Sequence, residues 1–127
     1  MSGGALFAIG AGAALGAWMR WGLGLMLNPL FPTLPLGTLT ANLIGGYLMG
    51  VAMGVFSHYS GLSAELRLLV TTGFLGGLTT YSTFSAEAVT LISRQQLGWA
   101  AAHIMSHLLG SLAMTMLGIM TINAVRS

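Results

Sequence analysis

Charge and cysteine are what this sequence has least of. Its 127 residues include four arginines, two glutamates and no cysteine, and only 5% are charged. About a quarter of the residues in a soluble domain are charged, so a soluble globular protein is excluded. Without cysteine there is neither a disulfide framework nor a thiolate metal site. The few arginines form no basic cluster, which argues against nucleic acid as a partner.

Long apolar runs fill the chain instead. The composition is 55% hydrophobic with a mean hydropathy of +0.85, and a helix needs about 20 residues to cross a bilayer core. Four segments are long enough, at about residues 4–27, 36–56, 66–92 and 97–125. Residues 1–4 lack the basic start of a signal peptide, so we expect a retained first helix. The sequence predicts a single all-α transmembrane domain over residues 1–127, a four-helix bundle embedded in lipid.

The connections predict an antiparallel arrangement with both termini on one side. They are "NPLFPTLP" (28–35), which contains all three prolines, the polar "SHYSGLSAE" (57–65) and the short "SRQQLG" (93–98). Loop arginines normally decide which way a chain inserts. Here Arg67 and Arg126 lie on the side of the termini, and Arg20 and Arg94 on the other. This tie favours insertion in both orientations and head-to-tail pairing, unless a few flanking residues decide.

Glycines at four-residue spacing recur in the first three helices. Because lipid gives no hydrophobic drive for helix association, small residues that allow close backbone approach mark packing faces. The spacing therefore predicts helix packing seams. They contain Gly12 and Gly16, then Gly46, Gly50 and Gly54, then Gly73 and Gly77.

The segment "GFLGGLTTYSTFS" (73–85) predicts an interruption of the third helix in mid-membrane. It combines three glycines with nearby threonines, which is a poor composition for a continuous helix. Irregular backbone at that depth must be buried in protein or line a water-filled space, and its free carbonyls can coordinate a cation. A small hard cation such as Na⁺ is the expected occupant. The hydroxyls that follow could donate to a small anion or cap the restarted helix.

Polar side chains at membrane depth are functional candidates, because a charge at a helix centre costs about 2.5–3.5 kcal/mol. Asn42 lies early in the second helix, where it could bond a neighbouring helix or face a passage. The fourth helix has polar residues at four-residue spacing, which indicates a polar wall along that helix. Bonding of the hydroxyls back to their own helix is the structural alternative. The four residues are His103, His107, Ser111 and Thr115.

Four further residues have two readings each. Arg20, between Trp18 and Trp21, could extend to the interface or attract anions at a vestibule. Tyr81 and Phe84 share a helix face, either in plain packing or with ring edges toward an anion. Glu87 could gate access, accept a proton or pair with Arg94.

Four blocks in order resemble those of the small Fluc-type (CrcB-like) fluoride channels of microorganisms, over essentially the whole chain. The blocks in helices 2 and 3 are specific, and the other two are weaker. The four blocks are "GAWMRW", "PLGTLTANLIGGYLMG", "TTGFLGGLTTYSTFSAE" and "HLLGSLAMTMLG".

The resemblance implies a dual-topology antiparallel homodimer with two fluoride pathways and a structural Na⁺ on the twofold axis. It assigns the Na⁺ ligands to backbone carbonyls of Gly76 and Thr79, and the vestibule and access roles to Arg20 and Glu87. The family usually has phenylalanine where Tyr81 stands, and the phenol adds a donor. The implied fluoride pathway contains Asn42, Thr40, Tyr81, Ser82, Thr83, Phe84, His107, Ser111 and Thr115.

We therefore expect a multi-pass inner-membrane channel through which fluoride leaves the cell passively. A small proton-coupled drug exporter is the alternative, although it needs a titratable carboxylate in a broad cavity. A structural subunit of a larger complex would leave the hydroxyl run unused. An enzyme is not expected, because no acidic third ligand shares the helix face of His103 and His107.

Overall fold

The structure, a computed structural model, describes residues 2–126, and these are helical with no β-strand. The predicted all-α class is confirmed. Helix α1 spans Gly3–Leu27 and leads into a 3₁₀ turn, Asn28–Leu30. Helix α2 spans Leu36–His58, and the last helix, α6, spans Leu97–Arg126.

The third segment is built from several short pieces. Helix α3, Ala64–Leu68, continues into seven residues of π-helix, Leu69–Leu75. A single turn, α4, covers Gly76–Leu78, and helix α5 covers Tyr81–Ser93. Between α4 and α5, Thr79 and Thr80 have extended backbone, with φ/ψ of −86°/158° and −148°/120°. Helices long and apolar enough to cross a membrane are found at Gly3–Leu30, Leu36–His58 and Leu97–Arg126.

Polar side chains cap the helices where the sequence places them. The hydroxyl oxygens of Ser2, Ser63 and Thr80 accept backbone N–H groups three residues later, at 3.0, 3.1 and 3.0 Å. Helix α2 begins after a proline and takes its cap from a distant residue: the amide oxygen of Asn28 accepts the N–H of Gly37 at 2.7 Å. These bonds satisfy amides that have no partner inside their own helix.

Contacts at the helix ends show that successive segments run in alternating directions. At one end the Ser2 hydroxyl donates to Glu65 at 3.3 Å, and His58 lies 3.4 Å from the Asn123 amide oxygen. At the other end the rings of Phe31 and Trp99 meet edge to face, with centroids 5.5 Å apart. The start of α1 and the end of α6 therefore lie at the same end of the bundle, as the connections predicted.

Glycine governs how closely these helices approach. Helices α2 and α6 pack along Gly50, where an added Cβ would lie 2.9 Å from the carbonyl carbon of Thr115. At Gly12 an added Cβ would lie 2.8 Å from the amide nitrogen of Phe74, in the π-helical segment. The seams predicted from glycine spacing are therefore close contacts within one chain, mostly with backbone, although Gly54 faces the Ile122 side chain. Large apolar side chains such as Phe7, which is 78% exposed, point outward, as lipid contact requires.

We expect Gly50→Ala to destabilise the fold by about 1–3 kcal/mol, because the new methyl group would displace α6 from α2. Thermal unfolding in detergent, followed by loss of the folded species on size exclusion, measures this. Gly22→Ala is the matched control, since nothing lies within 4 Å of an added Cβ there. Equal stability of the two variants would contradict the close approach of α2 and α6.

Candidate functional site

The site is organised around the extended backbone between α4 and α5. The side-chain amide of Asn42, on α2, makes two hydrogen bonds with Thr80: the Thr80 N–H donates to Oδ1 at 2.8 Å, and Nδ2 donates to the Thr80 carbonyl at 3.1 Å. These two bonds to the N–H and the carbonyl of one extended residue are of the kind that a neighbouring β-strand makes. This pairing satisfies the polar backbone that the helix ends expose in an apolar interior.

The same amide reaches α6. Asn42 Nδ2 lies 2.9 Å from Nδ1 of His107, whose side chain is buried at 5% exposure. Asn42 therefore connects three segments of the bundle through one side chain. Nε2 of His107 is buried, with no hydrogen-bond partner among the described residues.

Phe84 covers the two histidines from α5. Its ring lies 5.3 Å from the His103 ring, at an interplanar angle of 23°, and 4.7 Å from the His107 ring at 39°. Tyr81 is a further 5.7 Å from Phe84 and is 82% exposed. The aromatic pair that shares a helix face in the sequence therefore has one member inside the bundle and one on its outer surface.

Glu87 is held inside the bundle. The Thr38 hydroxyl donates to Oε2 of Glu87 at 2.7 Å, and Nε2 of His103 lies 3.4 Å from Oε1. His103 is 1% exposed, and its Nε2 also lies 3.4 Å from the Phe84 carbonyl. Of the roles the sequence left open for Glu87, pairing with Arg94 is not what the structure shows; the carboxylate contacts Thr38 and His103 instead.

Glu87, His103 and His107 together form a cluster that the sequence analysis missed. One possible ligand atom from each lies within 4.8 Å of the others. As expected from the sequence, no acidic residue of α6 shares the helix face of the two histidines, but Glu87 lies beside them in the fold. The carboxylate comes from α5 rather than α6, so spacing along one helix gives no sign of it.

A cavity of about 700 Å³ lies between α2, the third segment and α6. Exposed Tyr81 and Ser85 form part of its wall, so the cavity opens on the outer surface of the bundle. The expected pathway residues in its lining are Asn42, Tyr81, Phe84, His107, Ser111 and Thr115, together with the expected cation ligands Gly76 and Thr79.

A smaller cavity of about 290 Å³ lies toward the other end of the bundle. Arg20, Thr83 and Asn28 are in its lining, with Thr38 and Thr80. Arg20 is bound to the third segment, because its Nε donates to the Gly77 carbonyl at 3.0 Å. Thr80 lines both cavities, so the extended backbone separates them.

Two expected pathway residues, Thr40 and Ser82, line neither cavity. The exposed Ser82 hydroxyl is 3.5 Å from that of Thr80. Of the expected hydroxyl cluster of Thr40, Ser82 and Thr83, only Thr83 is in the lining of a cavity.

Several cavity hydroxyls use their hydrogens on nearby carbonyls. Thr115 Oγ1 lies 2.9 Å from the carbonyls of both Gly46 and Ser111, and Ser111 donates to Leu108 at 3.2 Å. Thr79 donates to the Leu75 carbonyl at 2.9 Å. A hydroxyl has one hydrogen, so these groups face the cavity as acceptors unless they rotate.

Two carbonyls next to the cavity have lost their helical amide partners. In a continuous helix the Gly76 carbonyl would accept the N–H of Thr80, but that N–H donates to Asn42. The Thr79 carbonyl would likewise accept the N–H of Thr83, but that N–H donates to the Thr80 hydroxyl. Neutral carbonyl oxygens are ligands that a hard cation accepts. Gly76 and Thr79 therefore suit the role that the resemblance assigns to them.

Three supporting residues, Thr38, Asn28 and Thr80, have no role in the site predicted from the sequence. Thr38 lies one helical turn before Asn42, and this spacing was a usable signal for a shared face. Asn28 precedes a proline, a common place for a side chain that caps backbone. Neither signal indicates the hydrogen-bond partner, because the fold brings Thr38 to Glu87 and Asn28 to Gly37.

The fold and the site define a small helical membrane protein with a polar cavity inside an apolar bundle. Residues 7–119 match the family described as "CrcB-like protein, Camphor Resistance (CrcB)". The chain belongs to this family, as the four sequence blocks indicated.

Curated relatives of this chain have a shared name. A protein of Nitrosospira multiformis called "Fluoride-specific ion channel FluC" is 68% identical over 118 residues, which is 93% of this chain and 92% of the relative. Proteins of the same name from Aromatoleum aromaticum and Pseudomonas aeruginosa are each 55% identical, over 96% and 93% of this chain and 93% of each relative.

Removing the Thr38 hydroxyl tests the contacts of Glu87. We expect Thr38→Val to lower the free energy of unfolding by about 1–3 kcal/mol, because a buried carboxylate oxygen loses its donor. Thermal unfolding in detergent measures the change. Thr90→Val is the control, since the Thr90 hydroxyl donates within its own exposed helix to Ala86 at 2.8 Å. A Thr38 variant no less stable than the Thr90 variant would contradict this assignment.

Proposed function

We propose that this protein is a fluoride channel of the inner membrane, through which fluoride leaves the cell down its electrochemical gradient. The observation that carries this proposal is the cavity beside Asn42 and Thr80, which places an amide, an imidazole and aromatic rings inside an apolar bundle. The family and the name shared by its relatives support it. Those relatives are named as ion channels, in agreement with the expectation that the chain is not an enzyme.

The chemistry of the cavity suits a small halide. Fluoride holds its water strongly, so a narrow passage must replace that water with close donors and favourable dipoles. The buried His107 side chain and the phenol of Tyr81 can donate, and the rim of the Phe84 ring carries the positive part of its quadrupole. Thr83 and Arg20, at the second cavity, place further donors and a positive charge beyond the extended backbone. No step in this passage needs a covalent bond to form or break.

The cavity does not have the features of a proton-coupled drug exporter. Such a protein needs a titratable carboxylate in contact with its substrate. Among the described residues, neither cavity has an acidic side chain in its lining, and the Glu87 carboxylate accepts the Thr38 hydroxyl instead.

Fluoride efflux from liposomes tests the proposal. With an ionophore to carry the balancing cation, we expect fluoride to leave at least about ten times faster than chloride, a difference of about 1.4 kcal/mol between the two anions. An ion-selective electrode measures both fluxes, and protein-free liposomes provide the control. Equal fluxes of the two anions, or no flux that responds to voltage, would contradict a fluoride channel.

The channel is proposed to act as a dual-topology, antiparallel homodimer. In one chain the large cavity opens on the outer face of the bundle, where Tyr81 and Ser85 are exposed. Polar backbone and hydroxyls are not stable against acyl chains. A second copy would cover this face, and the even division of the four arginines permits copies of opposite orientation.

A structural Na⁺ is proposed at the twofold axis of the dimer. The carbonyls of Gly76 and Thr79 would hold it, since both lack helical amide partners and both residues line the cavity that the second copy covers. Two carbonyls are too few for a hard cation, and a second copy would double them. When bound, Na⁺ would neutralise carbonyl dipoles that point into a water-poor space. The third span is then proposed to be interrupted in mid-membrane to expose these ligands.

Sodium should stabilise the dimer. A ligand present at a hundred times its dissociation constant adds roughly 2.7 kcal/mol to the folded state. We therefore expect the dimer peak on size exclusion to survive to higher temperature in sodium chloride than in the chloride of a bulky organic cation. Potassium chloride at the same concentration is the matched control. Identical survival in all three salts would contradict a structural Na⁺.

A further inference from the structure

We propose that Asn42 is a positioning residue that fixes the proton of His107 on Nε2, so that this N–H is the donor presented to an anion in the passage. The tautomer follows from the structure alone, and the role of the donor rests on the proposed function.

The orientation of the Asn42 amide is set by backbone. A backbone N–H can only donate, and a backbone carbonyl can only accept. The Thr80 N–H meets Oδ1 at 2.8 Å, and the Thr80 carbonyl meets Nδ2 at 3.1 Å. Turning the amide over would set donor against donor and acceptor against acceptor, so both bonds would be lost.

The tautomer of His107 follows from this orientation. The Asn42 Nδ2 group is a donor, and it lies 2.9 Å from Nδ1 of His107. A hydrogen on Nδ1 would point at the amide hydrogens, so Nδ1 must be the acceptor of the neutral ring. The ring proton is then on Nε2, which is buried and without a hydrogen-bond partner among the described residues.

Apart from the exposed Tyr81 and Ser85, the other polar side chains of the cavity wall are already engaged. Asn42 Nδ2 has two hydrogens, and the Thr80 carbonyl and His107 Nδ1 account for both. The Ser111, Thr115 and Thr79 hydroxyls donate to carbonyls. His107 is in the lining of the cavity, and its Nε2 is buried without a hydrogen-bond partner among the described residues. A buried donor of that kind is costly until an acceptor arrives. A dehydrated anion is such an acceptor.

The same tautomer argues against a transition metal at Glu87, His103 and His107. This set has the composition of a zinc site. A metal needs a nitrogen lone pair, however, and on His107 the Nδ1 lone pair faces Asn42 while Nε2 has the proton. Zinc is therefore a useful probe, because it would bind well only if the proton were elsewhere.

Nitrogen NMR of the protein in bilayers, labelled with ¹⁵N-histidine, reads the tautomer directly. The chain has three histidines, and the signals lost in His107→Gln assign this one. We expect Nε2 to be protonated and Nδ1 not, with fluoride shifting the Nε2 signal. In Asn42→Asp the carboxylate can only accept, so we expect Nδ1 to gain the proton and fluoride flux to fall at least about tenfold.

Asn123→Asp is the matched control, because Asn123 is an amide near a histidine outside the cavity, with Oδ1 3.4 Å from His58. It should leave both the His107 signals and the flux unchanged. A wild-type channel that conducts fluoride with the proton on Nδ1 would overturn this inference and leave the proposed function standing. Block of fluoride flux by Zn²⁺, abolished in His107→Gln, would overturn it too. A protein with the expected tautomer and no fluoride flux would overturn the proposed function instead.

Discussion

The bond pair between Asn42 and the backbone of Thr80 is the interaction on which this site depends. Extended backbone in an apolar bundle has polar groups that neither lipid nor a helix can satisfy. Asn42 satisfies one N–H and one carbonyl together. In doing so it takes the N–H that would otherwise close a helical turn onto Gly76, which leaves that carbonyl free. It also determines which nitrogen of His107 accepts. The proposed cation site and the proposed anion donor are therefore two consequences of one contact.

Close helix packing makes that contact possible. An amide on α2 can reach both the third segment and α6 only if the helix axes are near each other. Glycines provide this approach: an added Cβ at Gly46 would lie 3.0 Å from the Ser111 carbonyl, and one at Gly50 would lie 2.9 Å from the Thr115 carbonyl carbon. The same closeness lets the Thr115 hydroxyl reach the Gly46 carbonyl at 2.9 Å. Thr115, which the sequence places in a polar wall, therefore helps to hold α6 against α2. The passage accordingly has fewer free donors than the sequence indicates.

What the sequence predicts well is what depends on composition over a long window. Helix α2 was predicted at 36–56 and spans Leu36–His58, and α6 was predicted at 97–125 and spans Leu97–Arg126. What the sequence does not predict is contacts between residues that are far apart in the chain. Glu87 and His103 meet because α5 packs on α6, and no periodicity within one helix encodes that. The π-helical stretch Leu69–Leu75 has no signal of its own, since it arises where α1 packs against Gly73.

The chemistry of the site also explains why its polar residues are so few. Every donor added to an apolar passage must be paired when no anion is present, or the fold loses stability. In this chain the hydroxyls meet the requirement by bonding their own helices, which removes them as donors at rest. His107 does not, because its partner Asn42 offers a donor rather than an acceptor. A single unpaired N–H on His107, fixed by Asn42, which is itself fixed by the Thr80 backbone, is a small arrangement that keeps a donor ready for an anion.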